Sequence, residues 1–152
     1  IRYSFSQTSS IIFMNILFMC VANSARSQMA EGIAKSILGN THNIQSAGSE
    51  PSGAVHPNAV LALSEINLDA TNHYSKSIDQ LDSSFVDNLD FVITLCAEEV
   101  CPVLPSNASK LHWFNKDPAD ETLDEKGLID AFNLTRNNLI KMIEEFKRLN
   151  VQ

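Results

Sequence analysis

The chain has 152 residues, enough for one domain with a single sizeable core. Its formal net charge is −7, with 11 Lys and Arg against 18 Asp and Glu and no basic cluster, which argues against a nucleic-acid partner. Three cysteines are an odd count without disulfide-framework spacing, so a reducing compartment and reactive thiols fit better than structural bridges.

The first residues need care. The chain opens on Ile1, and the Ser/Thr/Gln-rich stretch from Ser4 to Ser10 reads as poorly structured. Ile11 to Ala22 imitates a signal-peptide core, with Ala22 to Ala25 as the small residues of a cleavage end. Against that, only Arg2 supplies positive charge and cleavage would remove Cys20. Met14 is therefore read as the natural start, residues 1–13 as an upstream extension, and 14–152 as a single domain in the cytoplasm. No apolar run reaches the ~18 residues of a membrane span.

Asn15 to Met19 is an apolar run that predicts a buried strand ending at Cys20. Ser27 to Leu38 follows with Met29, Ile33, Ile37 and Leu38 at helical spacing. Between them lies Cys20-Val21-Ala22-Asn23-Ser24-Ala25-Arg26-Ser27. A short polar loop from a strand into a helix N-terminus aims backbone N–H groups at one point, a ready seat for a tetrahedral anion. Cysteines beside such positive fields are the reactive ones, whereas a free cysteine elsewhere is usually a small buried hydrophobe. The Cys-x5-Arg-Ser spacing with a strand before and a helix after favours a nucleophile.

Asn43 to Ala47 predicts a second strand, and Gly48 to Pro57 a loop rich in Gly, Ser and Pro. Asn58 to Ile66 and Ser77 to Asn88 predict helices. Phe91 to Leu95 is a continuous apolar, β-branched run, the mark of a strand covered on both faces, and it leads to Cys96. Cys101 follows after four residues. By itself this pair is open: a core cysteine and an incidental surface thiol, half a zinc site, or a redox pair. Lys110 to Phe114 predicts a fourth strand, Asp117-Pro118 a turn, and Leu123 to Leu149 a long amphipathic helix. Strands alternating with helices predict an α/β fold, one four-stranded parallel sheet with helices on both faces. Ligands bind beyond the carboxyl ends of such strands, where Cys20 and Cys96 both fall.

From Met14 onward the chain resembles the low-molecular-weight protein tyrosine phosphatase superfamily, and within it the arsenate reductases. The resemblance rests on Asn23-Ser-Ala-Arg-Ser-Gln-Met-Ala-Glu-Gly32, Ser46-Ala-Gly-Ser-Glu-Pro51, Asn58-Ala-Val, Asn72-His73, Asp90-Phe-Val-Ile-Thr-Leu-Cys96, Cys101-Pro102 and Trp113-Phe-Asn-Lys-Asp117-Pro118-Ala119, in the family's order. It implies a thiolate at Cys20 attacking arsenate held by Arg26 and the loop amides, and Asp117 as general acid. Cys96 and then Cys101 would pass the disulfide outward to an external reductant. Ser27 would donate to the Cys20 sulfur, with a helix cap as the plainer alternative. Asn23 and His73 would brace the loop; His42, His56 and His112 read as structural.

Two departures matter. The best-known thioredoxin-coupled reductases place six residues between the second and third cysteines; here there are four, but a Cys96–Cys101 bridge can still close across about one helical turn, so thioredoxin stays the favoured reductant and glutathione with glutaredoxin stays open. Phosphatases commonly follow Asp-Pro with aromatic residues; here Ala119-Asp120 follow, which points to a small inorganic oxyanion, arsenate, with phosphate or sulfate as mimics. The alternatives are a phosphatase acting on phosphomonoesters and a non-catalytic oxyanion-binding or redox-sensing module. No bound cofactor or metal and a monomeric state are expected. Some members hold potassium beside the loop with Asn, Glu, Ser and Asp. Asn23, Glu31 and Ser46 match the first three, but Lys76 stands at the fourth, where its ammonium is expected to replace the ion.

Overall fold

The computed structural model describes residues 13–97 and 103–151. The expectations for residues 1–12 and for Cys101 lie outside them. Four strands, β1 (Asn15–Cys20), β2 (Asn43–Gly48), β3 (Phe91–Thr94) and β4 (Ser109–His112), form one sheet in the order β2-β1-β3-β4. All three pairings are parallel. Among the described residues four α-helices accompany them: α1 (Arg26–Leu38), α2 (Pro57–Ser64), α3 (Ser83–Asp87) and α4 (Glu125–Asn150).

The apolar run of β1 lies at the centre, so both of its faces are buried. Ile16 and Phe18 join the larger core with Met29 and Ile33 of α1 and Phe132, Leu139, Ile143 and Phe146 of α4. Leu17 and Met19 point the other way, into a smaller core with Val92, Phe85 and Leu89. Alternation along a two-sided strand demands this continuous hydrophobicity. Each large side chain so buried contributes roughly 1.5–3 kcal/mol. In α4 the buried residues recur at helical spacing, and Asp124 caps the helix by accepting from the Gly127 N–H at 2.7 Å.

The expected helix over 77–88 is broken in two. Ile78–Gln80 forms a single 3-10 turn, Leu81 is extended, and Asp82 then caps the short α3 by accepting from the Ser84 N–H at 2.8 Å. Asp82 has more to gain as an N-cap than inside a helix, which divides the apolar pattern. The fourth strand ends at His112 rather than Phe114. Helix α2 begins at Pro57, with His56 as its cap. Among the described residues no helix is long and apolar enough to cross a membrane.

Candidate active site

The loop from Cys20 to Arg26 joins β1 to α1, and its backbone accounting explains its shape. Each carbonyl from Val21 to Ala25 is tied outward. Val21 accepts from the Glu50 N–H at 2.9 Å, Ala22 from the Ser52 N–H at 3.0 Å and the Ser75 hydroxyl at 3.1 Å, and Ser24 from the His56 N–H at 2.9 Å. Asn23 accepts from Gln28 Nε2 at 3.2 Å, and Ala25 from the Met29 N–H at 2.9 Å. Carbonyls held outward leave the N–H groups to the inside of the curve, the kind of concavity that can bind an anion. Asn23 supports this turn at φ 49°, a left-handed conformation that Asn tolerates better than most residues. The preceding residue of α1, Ala25, offers no capping side chain, so the positive end of the helix adds to the same point.

The cradle encloses a cavity of about 100 Å³ lined by Cys20, Ala22, Ser24, Ala25, Arg26, Ser52, Asp117 and Ala119. Cys20 is a free, buried thiol at its base, 2.8 Å from the Ser27 hydroxyl. Asn23 Nδ2 donates to the same Ser27 oxygen at 2.8 Å, which leaves the Ser27 hydrogen available to the sulfur, as a thiolate requires. Ser27 lies inside α1 and is not its N-cap. Arg26 is buried; its Nη2 lies 3.8 Å from Asp117 and its Nη1 donates to the Asn115 carbonyl at 3.0 Å. Asp117 is half exposed at the mouth, with its other oxygen accepting from the Ala119 N–H at 3.0 Å.

Behind the loop lies a buried polar chain. Asn23 Nδ2 also donates to Ser46 Oγ at 3.0 Å, and Ser46 donates to Glu31 at 2.5 Å. Glu31 is flanked by two ammonium groups, Lys35 at 2.7 Å and Lys76 at 3.5 Å. Burial acts to raise the Glu31 carboxyl, but the Lys76 charge and the bonds from Lys35 and Ser46 outweigh it and hold it below its ordinary value. Among the described residues Lys76 faces one carboxylate, Glu31; it is itself buried, and burial pushes its ammonium down despite that partner. It also rests 4.8 Å from the Tyr74 ring centre. The Lys76 N–H donates to Asn23 Oδ1 at 2.9 Å.

Two supporting residues escaped the sequence reading. Gln28 Nε2 donates to Asn23 Oδ1 at 2.9 Å and to the Tyr74 carbonyl at 2.9 Å, while its Oε1 faces His73 Nδ1 at 3.1 Å. Because that oxygen only accepts, His73 must be the donor. Gly48 is the other: a Cβ there would stand 2.4 Å from the Val21 carbonyl and 2.9 Å from the Asn23 nitrogen. Neither shows in hydrophobic periodicity, since both serve the loop rather than the core.

Cys96 lies two residues past β3. The Leu95 N–H donates to the Met19 carbonyl at 2.9 Å, so Cys96 follows at the same end of the sheet as Cys20. Cys96 is buried and disulfide-bonded. His42 accepts from the Met14 N–H at 3.0 Å, His56 caps α2, and His112 meets Thr94 at 2.7 Å; of the three, His56 adjoins the loop.

Residues 15–150 match the family described as low molecular weight phosphotyrosine protein phosphatase. Arsenate reductase 1 of Staphylococcus haemolyticus is 44% identical over 134 residues, covering 87% of this chain and 93% of the relative. An arsenate reductase of Bacillus cereus is 40% identical over 136 residues, covering 88% and 94%. Among solved structures, an arsenate reductase in the phosphate binding state aligns with TM-score 0.69 at 28% identity, over 88% of this chain and 95% of that one. A thioredoxin-dependent arsenate reductase from Corynebacterium glutamicum aligns with TM-score 0.60 at 25% identity, over 93% and 68%. With its family match spanning every strand and helix among the described residues, this chain belongs to the low molecular weight phosphotyrosine protein phosphatase family.

Proposed function

We infer that the chain is an arsenate reductase. The observation that carries this reading is a cradle sized for one tetrahedral anion, with a free thiol at its base and a second cysteine at the neighbouring strand end. Its walls beyond Asp117 are Ala119 and Ser52, and among the described residues its lining holds no aromatic platform for a phosphotyrosine ring. The relatives' names agree with this choice over phosphomonoester hydrolysis.

In this reading Cys20 thiolate attacks arsenic, forming a sulfur–arsenic bond, and Asp117 protonates the oxygen that leaves as water. Arg26 and the loop N–H groups hold the remaining oxygens. Cys96 thiolate then attacks the Cys20 sulfur. The sulfur–arsenic bond breaks with its electron pair going to arsenic, arsenite leaves, and two thiols have become one disulfide. Cys101 attacks Cys96, freeing Cys20, and an external dithiol reduces the Cys96–Cys101 bond. The free thiol at Cys20 and the disulfide at Cys96 support this order.

Thioredoxin is the favoured dithiol, in keeping with the name of the Corynebacterium glutamicum protein; glutathione with glutaredoxin is the other donor. The protein would act as a cytoplasmic monomer without a bound cofactor. Lys76 would occupy the place of a loop-bracing cation. The test compares arsenite formation, driven by thioredoxin, thioredoxin reductase and NADPH, with hydrolysis of an aryl phosphate. Arsenite formation with little hydrolysis supports the reductase; brisk hydrolysis without arsenite establishes the phosphatase instead.

A further inference from the structure

We propose that Asn115 is a positioning residue for the oxyanion site, setting the attitude of Arg26 and the placement of Asp117 together. The proposal rests on the reading of Cys20–Arg26 as an anion cradle. Along the segment after β4, Trp113 packs against the larger core, Phe114 is exposed, and Asn115 turns inward. Only 4% of Asn115 is exposed, and a buried amide is costly unless it is bonded. Its Nδ2 donates to the Trp113 carbonyl at 3.0 Å and reaches Met142 Sδ on α4 at 3.7 Å. The carboxamide thereby folds the segment back on itself and presses it to α4.

This anchoring has a directional consequence. It turns the main-chain carbonyl of Asn115 toward Arg26 Nη1, at 3.0 Å. Two residues later Asp117 meets Nη2 of the same guanidinium at 3.8 Å. One short stretch of chain thus presents two acceptors to one side chain. Nη1 is held by a carbonyl whose position does not depend on substrate. Nη2 is the arm that an entering oxyanion takes over from Asp117, releasing the acid toward the leaving oxygen. A planar guanidinium with one arm fixed presents its other donors in a set direction, which is what anion affinity and acid placement both require. Without the carboxamide, the carbonyl remains but loses the bonds to Trp113 and Met142 that set its direction.

The test uses the full chain, with Asn115→Leu as the main variant and Asn115→Ser as a second in case leucine prevents folding. Inorganic phosphate is the probe, followed by calorimetry and by emission of Trp113, the single tryptophan. Melting temperature is measured alongside, and arsenate turnover supplies kcat and KM. We expect phosphate Kd to rise about tenfold, the scale of one weakened charge-assisted hydrogen bond, in protein that is fully folded at the assay temperature. Arsenate KM should rise with it, and kcat should fall because Asp117 is displaced as well. A variant with a lowered melting temperature but phosphate Kd within twofold of the parent shows a purely structural residue and overturns the proposal. Loss of phosphate affinity with kcat unchanged overturns the link to Asp117. A parent protein that binds no phosphate overturns the cradle reading and this proposal with it.

Discussion

Replacing Gly48 by alanine tests whether the anion loop depends on backbone contact with the exit of β2. Gly48 has no left-handed backbone to protect; what it needs is space. The added methyl would lie 2.4 Å from the Val21 carbonyl oxygen, where ordinary contact starts near 3.4 Å, so that carbonyl must retreat by about 1 Å or the strand must yield by as much. The nearest atoms are the Val21 carbonyl and the Asn23 nitrogen, both backbone, so no side chain can swing aside to absorb the strain. Overpacking of this kind costs about 1–3 kcal/mol in stability. A misplacement of about 1 Å in catalytic geometry costs roughly a hundredfold in rate. The assay pairs thermal melting with phosphate calorimetry and arsenate turnover. Gly48→Ala should fold, melt a few degrees lower, and lose most phosphate affinity and about a hundredfold in kcat/KM. A variant within threefold of the parent in both affinity and turnover would refute the argument that the cradle is shaped from behind by Gly48.

Other outcomes follow from the same geometry. Cys20→Ser should abolish arsenate reduction and any aryl phosphate hydrolysis, because a serine hydroxyl lacks the thiolate form; Cys96→Ser should stop arsenate turnover while sparing slow hydrolysis, and normal thioredoxin-coupled reduction by it would exclude the relay. Lys76→Met removes one of the two ammonium groups from the buried Glu31, leaving it the bonds from Lys35 and Ser46, and should cost about 2 kcal/mol, the scale of one bond to a charged group, read as a melting point roughly 4–8 °C lower. Adding Glu31→Gln should restore much of that loss. Potassium should raise the parent's melting temperature no more than sodium does at equal ionic strength, and a potassium-specific rise would end the replacement idea. His56 is held below its ordinary value by burial, partly opposed by Asp117, so its neutral form is the folded one. The stability it supplies is present above about pH 6.5 and lost as pH falls through the folded value, because protonation removes the acceptor that caps α2. His56→Asn keeps a cap but loses the ring contact with Phe132. It should be about 1 kcal/mol less stable at pH 7.5, with a gap that narrows toward pH 5; a constant gap in urea melts would contradict this assignment.

The family and the sheet were legible in the residues because their causes are local or periodic. An apolar run such as Asn15–Met19 must be covered on both faces, and the recurrence of Phe132, Leu139, Ile143 and Phe146 can only be a helix face. The cysteine, the loop and the arginine were legible for a related reason, since the cradle is made by seven successive residues, Cys20 to Arg26, that join a strand to a helix. The subdivision of 77–88 was not, because the capping bond of Asp82 competes with helix continuation by a margin that apolar spacing does not register. The tertiary structure alone decided what holds the loop open. Its carbonyls are tied by Glu50, Ser52, Ser75, His56 and Gln28, residues up to 53 positions away, and its shape is limited by a missing side chain at Gly48. Lys76 and Glu31 are likewise 45 residues apart in the chain and 3.5 Å apart in the fold. Such groups carry no pattern of their own, because a hydrogen bond or a steric limit depends on where two segments meet, and that meeting is set by the packing of the sheet and its helices.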